Sequence, residues 1–240
     1  MTRARAWIAT VAALLGIAAT FALGLWQLDR AHQKEALAAS IAARRAMPPL
    51  SQDALLASDA MALVHRPVLL RGTWVDGRTV FLDNRQMPGG AVGFYVVTPL
   101  QLAGSDRVVL VQRGWAPRNF NDRERLPPVQ TPAGEVQVQG RIAPPPSRLY
   151  QPGAAGTGPI RQNLDLHAFA AESGLAVLPV TVQQTGPASQ GLRRDWPDAG
   201  GRGPETNYGY AFQWWALSGL IAALYVWFQF IQPRRPVRQA

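Results

Sequence analysis

The chain has 240 residues, 48% hydrophobic and 16% charged, with 22 glycines, 20 prolines, no cysteine and a formal charge of +9. Lack of cysteine excludes, for this chain alone, thiol–disulfide chemistry, thiolate metal sites and covalent c-type haem attachment. The positive charge does not read as nucleic-acid binding, because it divides between two tails and a weakly basic middle with no Lys/Arg run longer than two.

Residues 1–6 form a short tail with Arg3 and Arg5. Residues 7–28, WIATVAALLGIAATFALGLWQL, carry no charge, and as a helix they are long enough to cross a hydrocarbon core about 30 Å thick. A cleaved signal peptide has a shorter apolar run and a better small-x-small site, so this segment is expected to stay as a first transmembrane helix. Ala12, Gly16, Thr20 and Gly24 recur every four residues, a small-residue stripe whose favoured partner is the second span, the alternative being a helix of another membrane protein. DRAHQKEALAASIAARRAM then keeps a helix-favouring composition to Met47, where Pro48 and Pro49 stop it. A short amphipathic turn, LSQDALLASDA, follows.

From residue 66 the pattern changes to alternation. Strands are predicted over 66–75, 79–85, 92–100, 107–115, 135–142 and 178–185, separated by turn residues such as Asp76-Gly77 and Gly89-Gly90. EVQVQGRI shows the alternation of a half-buried antiparallel strand, with Val136, Val138 and Ile142 on one face. LDLHAFAAESG, over 164–174, predicts the single interior helix, with Asp165 as cap and Gly174 as stop. Residues 210–231, YAFQWWALSGLIAALYVWFQFI, are again uncharged and form the second predicted span; residues 232–240 add Arg234, Arg235 and Arg238.

Both terminal tails are basic and free of acid, so the positive-inside bias puts both in the cytoplasm. The expectation is a multi-pass cell (inner) membrane protein whose residues 29–209 form an extracytoplasmic, periplasmic-side β-rich domain. In fold terms this is membrane α+β: two transmembrane helices flanking a mainly antiparallel β-domain with one short interior helix.

Catalytic and metal chemistry find no constellation. His32, His65 and His167 lie in separate segments without metal-ligand spacing, and acids such as Asp122 and Glu124 sit in an arginine-rich stretch that favours solvated ion pairs. MPGGAVGF joins two strands and enters no helix, so it is no phosphate cradle. No catalytic residue and no metal ligand is assigned, and the chain is not expected to be an enzyme.

With both tails inside, LWQLDRAHQK at the end of the first span and NYGYAFQWW at the start of the second meet at the outer membrane face. Trp26, Gln27 and Arg30 are then level with Tyr210, Gln213 and Trp214. An aromatic belt with a snorkelling arginine would account for the rings; two glutamines at this depth point to a polar and aromatic cleft.

At these residues the chain resembles the Surfeit-locus protein 1 family, the Surf-type cytochrome c oxidase assembly factors. The matching segments are LGLWQLDRAHQK, RPVLLRGTW, FLDNRQMPGGAVGFYVVTPL, VVLVQRGWAP, VQVQGRI and NYGYAFQWWALSGL, in the family's order. The resemblance implies a role in maturing the haem a-containing large subunit of cytochrome c oxidase, alongside other oxidase assembly factors, with haem a bound transiently. It carries the cofactor-binding role onto Trp26, Gln27, Arg30, Tyr210, Gln213 and Trp214, extends the first motif to Lys34, and gives Arg113, Gly114 and Trp115 a partner-facing role. The bland alternative for these last three is a closed sheet corner with Arg113 in solvent. Where many members have histidine this chain has Asn207, a poor iron ligand. Tyr208 or Tyr210, His32, a propionate pairing with Arg30, or no haem at all remain open. The alternative function is a general membrane-anchored envelope scaffold without a haem role.

Overall fold

The computed structural model describes residues 3–122, 125–151, 156–197 and 203–232. Glu124, Arg234, Arg235 and Arg238 lie outside them. The chain divides into two compact units, one holding the first helix up to Ser40 with the segment from Ala199 onward, the other Ile41–Asp198.

The helices are α1 (Arg3–Arg45), α2 (Gln52–Leu56), α3 (Leu166–Ser173) and α4 (Glu205–Val226), the last running into a π-helical turn, Trp227–Ile231. Arg44 and Arg45 close α1, where cations oppose the negative end of the helix dipole. α1 and the α4 segment are long and apolar enough to cross a membrane, and only 11% and 6% of their apolar windows are buried. That exposure is unlike a soluble core helix and makes both candidate membrane-spanning helices.

In the first unit α1 and α4 run antiparallel in tight register. The Thr10 and Tyr225 hydroxyls are 2.9 Å apart, the Ser218 hydroxyl donates to the Ile17 carbonyl at 3.3 Å, and Gly16 faces Ile221. The partner of the small-residue stripe is thus α4. Gly16, Thr20 and Gly24 line the seam, but Ala12 is exposed and Ala13 takes its place. A four-residue repeat overruns the helical turn by roughly 40° per step, so such a stripe drifts off a straight seam.

The second unit is built on strands β1 (Pro67–Trp74), β2 (Val80–Gln86), β3 (Val92–Leu102), β4 (Arg107–Pro117), β5 (Glu135–Ala143), β6 (Ile160–Arg161) and β7 (Ala176–Gln184). They are ordered β1-β5-β7-β4-β3-β2-β6, and β1 also pairs with β3. Five strands therefore close into a ring, with β2 and β6 appended. Pairings are antiparallel except β4–β7 and β2–β6. The predicted strands all occur; β6, two residues long, was not predicted, and the described interior holds two helices where one was expected, because Ser51 accepts from the Ala54 N–H and caps α2 where only a turn was expected.

Val68, Leu70, Leu100, Val109, Val111, Val138, Ile142, Val180 and Val182 fill the main core, and Leu55 of α2 joins it. Leu110 points the other way, into a layer with Leu166 and Phe169 of α3. Covered on both faces, β4 is buried from Val108 to Ala116, as an interior strand must be. α3 begins where Asp165 accepts from the backbone N–H groups of His167 and Ala168 and ends at Gly174, left-handed at φ 71°, as its sequence predicts.

Candidate functional site

The non-tail end of the α1–α4 pair carries a chain of polar side chains through an otherwise apolar seam. Asn207 is its centre: its amide nitrogen donates to Gln27 Oε1 at 2.7 Å, and its amide oxygen accepts from Lys34 Nζ at 2.7 Å. In a low-dielectric seam such bonds are strong and their loss is costly. The Tyr208 hydroxyl donates to Glu35 at 2.8 Å, and its ring meets that of His32 edge-on, centroids 6.4 Å apart. Arg30 donates to Gln33, which donates to Asp29.

The six predicted cofactor-binding residues divide by face. Gln27 is in the seam and Trp214 half-buried beside it. Trp26 and Tyr210 are about half exposed, and Arg30 is exposed too. Trp26 and Arg30 lie roughly 100° and 60° round α1 from Gln27 in the sense opposite to His32, and Tyr210 roughly 60° round α4 from Asn207 opposite to Tyr208. Trp26, Arg30, Tyr210 and Trp214 therefore share one flank, while His32, Glu35 and Tyr208 share the other. Gln213 joins neither: it stands about 160° round from the buried Ala211 and is exposed.

One turn deeper, the Trp215 indole lies on Gly24, where a Cβ would overlap the ring. Glycine is required there by close approach. Trp215 also stacks obliquely with Phe21 at 6.3 Å, and its buried Nε1 has no partner.

Arg113, Gly114 and Trp115 are all buried, so they present no surface to a partner, and Arg113 is not in solvent either. The register between β3 and β4 slips between Val96 and Val97: Val96 faces Gly114 and Val97 faces Gln112, leaving Arg113 as the bulged residue. A bulge re-aims a side chain. The Arg113 guanidinium turns inward, donating to the Gln130 carbonyl, the Thr131 hydroxyl and Gln190 Oε1, and stacks over Trp74 at 4.7 Å. Burial first, then repulsion from Arg194, pulls it down to about 10, so it stays charged at neutral pH. Gly114 lies against the Arg193 carbonyl, leaving no room for a Cβ. Trp115 pairs with Arg193 through both backbone groups and donates its Nε1 to the Arg85 carbonyl at 2.9 Å.

Arg85 repeats the device on β2, where pairing slips between Leu82 and Arg85. It is buried, donates to the Ser147 and Gln162 carbonyls at 2.8 Å, and is lowered by that burial. Sequence reading missed Arg85 and the centrality of Asn207. The available signal was Lys34, the lone lysine among 23 arginines, whose compact ammonium suits a single amide oxygen.

A haem needs a flat apolar face, cations for its propionates and an axial donor. The first flank carries aromatic surface, Arg30 and the Tyr210 hydroxyl; the second carries His32 beside Tyr208. The first flank supplies all three kinds of group, whereas the second supplies an axial donor, His32, beside the Glu35 carboxylate and no cation among the residues named; Asn207 is already satisfied on both sides of its amide. Among the described residues no group of three or more His, Asp or Glu could hold a bare metal ion.

A family model described as the SURF1 family matches residues 14–219. The chain belongs to the SURF1 family. It is 26% identical over 235 residues to a SURF1-like protein of Monosiga brevicollis, covering 86% of this chain and 82% of that one. It is 28% identical over 235 residues to Surfeit locus protein 1 of Homo sapiens, covering 87% and 73%. A SURF1-like protein of Rickettsia felis is 32% identical over 105 residues, 43% of this chain and 42% of the relative. The family match begins inside α1 and ends inside α4, so it takes in both facing helix ends and the whole β unit.

Proposed function

We propose that this chain is a non-enzymatic assembly factor for haem-copper cytochrome c oxidase, anchored in the cell (inner) membrane with both termini cytoplasmic and the β unit outside. The large oxidase subunit and other assembly factors are its partners, and it aids insertion of haem a. The observation that carries the oxidase role is the family match across residues 14–219. Haem a supplies redox chemistry to the oxidase; here it is cargo.

In this reading Trp26, Tyr210 and Trp214 offer ring faces to the macrocycle, Arg30 pairs with a propionate, and Gln27 and Lys34 fix the helix ends through Asn207. Gln213, turned outward, is free to meet the oxidase subunit. The test has two parts. A strain lacking the gene should lose haem a-type oxidase activity while its subunits are still made; normal activity would end the reading. Protein purified from a haem a-producing host should show a Soret band. Loss on Tyr210→Ala with Trp214→Ala selects the first flank, and loss on His32→Ala the second; no band at all removes the haem role.

A further inference from the structure

At the tail end of the α1–α4 pair, opposite to the polar cluster, an apolar groove of about 300 Å³ opens between the helices. Ala9 and Ala13 form its floor, and Ile221, Leu224, Tyr225 and Phe228 its walls. Three features give this groove a definite shape. The floor side chains are methyl groups, so α1 supplies almost no filling. The Thr10–Tyr225 hydroxyl bond pins the wall. The helix then loosens into the π-helical turn Trp227–Ile231, a deviation frequent at functional sites, and Tyr225 packs edge-on against Phe230 at 6.2 Å.

Charge identifies what the groove takes. Arg3 and Arg5 are exposed at this end, and α1 carries no acid before Asp29, nor α4 after Glu205. Trp7, 71% exposed, is level with the stretch between Arg5 and Ala9 but about 160° round α1 from Ala9, so it faces away from the groove and marks only the level of a headgroup boundary. Ala9 and Ala13 lie about 6 and 12 Å deeper than Arg5 along the helix, the depth of the upper acyl chain. A partner helix would need a seam along the whole bilayer, whereas this groove spans little more than one turn of α1.

We propose that the groove binds one acyl chain of an anionic phospholipid whose headgroup is held by Arg3 and Arg5. The inference rests on the bilayer reading and is independent of any oxidase or haem role. A bound lipid would fill this groove between the helices.

The full chain, extracted in mild detergent, is incubated with equal phosphatidylglycerol and phosphatidylcholine, and retained lipid is counted by native mass spectrometry. The wild type should keep one phosphatidylglycerol in preference to phosphatidylcholine. Arg3→Gln with Arg5→Gln should lower that preference about fivefold per arginine removed. Ala13→Phe, and the milder Ala9→Leu, should lower retention by filling the groove; Ala12→Phe, on the exposed side of the same turn, should leave it unchanged. Equal retention of the two lipids by the wild type, undiminished retention in both groove-filling variants, or lipid-free dimers would each overturn the proposal. Wild-type protein in the soluble fraction would instead refute the bilayer reading itself, so the two failures are distinguishable.

Discussion

Arg113→Met tests whether the inward guanidinium stabilises the β unit. Methionine keeps most of the stem but removes the charge, the three hydrogen bonds and the contact with Trp74. Hydrogen bonds to a charged group contribute about 1.5–3 kcal/mol each, and stacking on Trp adds about 0.5–2 kcal/mol. Against this, taking the guanidinium out of water costs several kcal/mol, which the variant recovers. Gln130 and Thr131 lie at the surface and regain water on losing the arginine, whereas Gln190 is half-buried. The net expected loss is about 2–4 kcal/mol, the same order as breaking a buried ion pair. At about 2–4 °C per kcal/mol for a unit of this size, the melting temperature should fall by roughly 5–15 °C. Near-ultraviolet circular dichroism of the detergent-solubilised chain, followed on heating, reads it. Arg113→Lys should recover less than half of the loss, since an ammonium cannot fork to three separated oxygens. A Met variant as stable as the wild type would refute the reasoning, and full rescue by lysine would refute the geometric part.

Gly24→Leu forces a side chain into the Trp215 ring and should cost about 1–3 kcal/mol of helix pairing; lower crosslinking yield between Thr10→Cys and Tyr225→Cys, in a chain with no native cysteine, measures it. Asn207→Leu removes the acceptor for Lys34 and the donor to Gln27, and should destabilise the helix ends by about 1–3 kcal/mol, with much of the loss absent when Gln27→Leu accompanies it. His65 is lowered below its ordinary 6.5 by burial and by Arg45, Arg141 and Arg44. The unfolded chain therefore binds the proton more tightly, and the contribution of His65 is complete above pH 6.5 and declines as pH falls through the folded value. His65→Asn, tolerated at its left-handed φ of 77°, should flatten melting temperature between pH 7 and 5; an unchanged slope would disprove the assignment. Asp165→Ala should cost about 1 kcal/mol through loss of the α3 cap, read by urea unfolding.

The sequence by itself determined several local features that depend on neighbours along the chain. Two uncharged runs of helical length, the Pro48-Pro49 stop, the Asp165 cap and Gly174 stop, and the strand spacing of Val136, Val138 and Ile142 all follow from turn chemistry, periodicity and hydrophobic length. The level of Trp26 with Tyr210 was also legible, because two long apolar helices that pair antiparallel bring the end of the first beside the start of the second.

Only the tertiary structure decided what depends on rotation and register. Gln213 and Asn207 are six residues apart, yet one turns outward and the other bridges to α1, because the helical phase relative to a partner is absent from one helix's sequence. Arg113 lies among the apolar residues of β4, and only the bulge opposite Val96 and Val97 turns it inward. Closure of the ring by β1 and β3 rests on the pairing of Gly72, Thr73 and Trp74 with Leu102, Gln101 and Leu100, which no local pattern encodes. Ala12 and Ala13 are identical in composition and differ in exposure, since a period of 3.6 residues carries one of them off the seam.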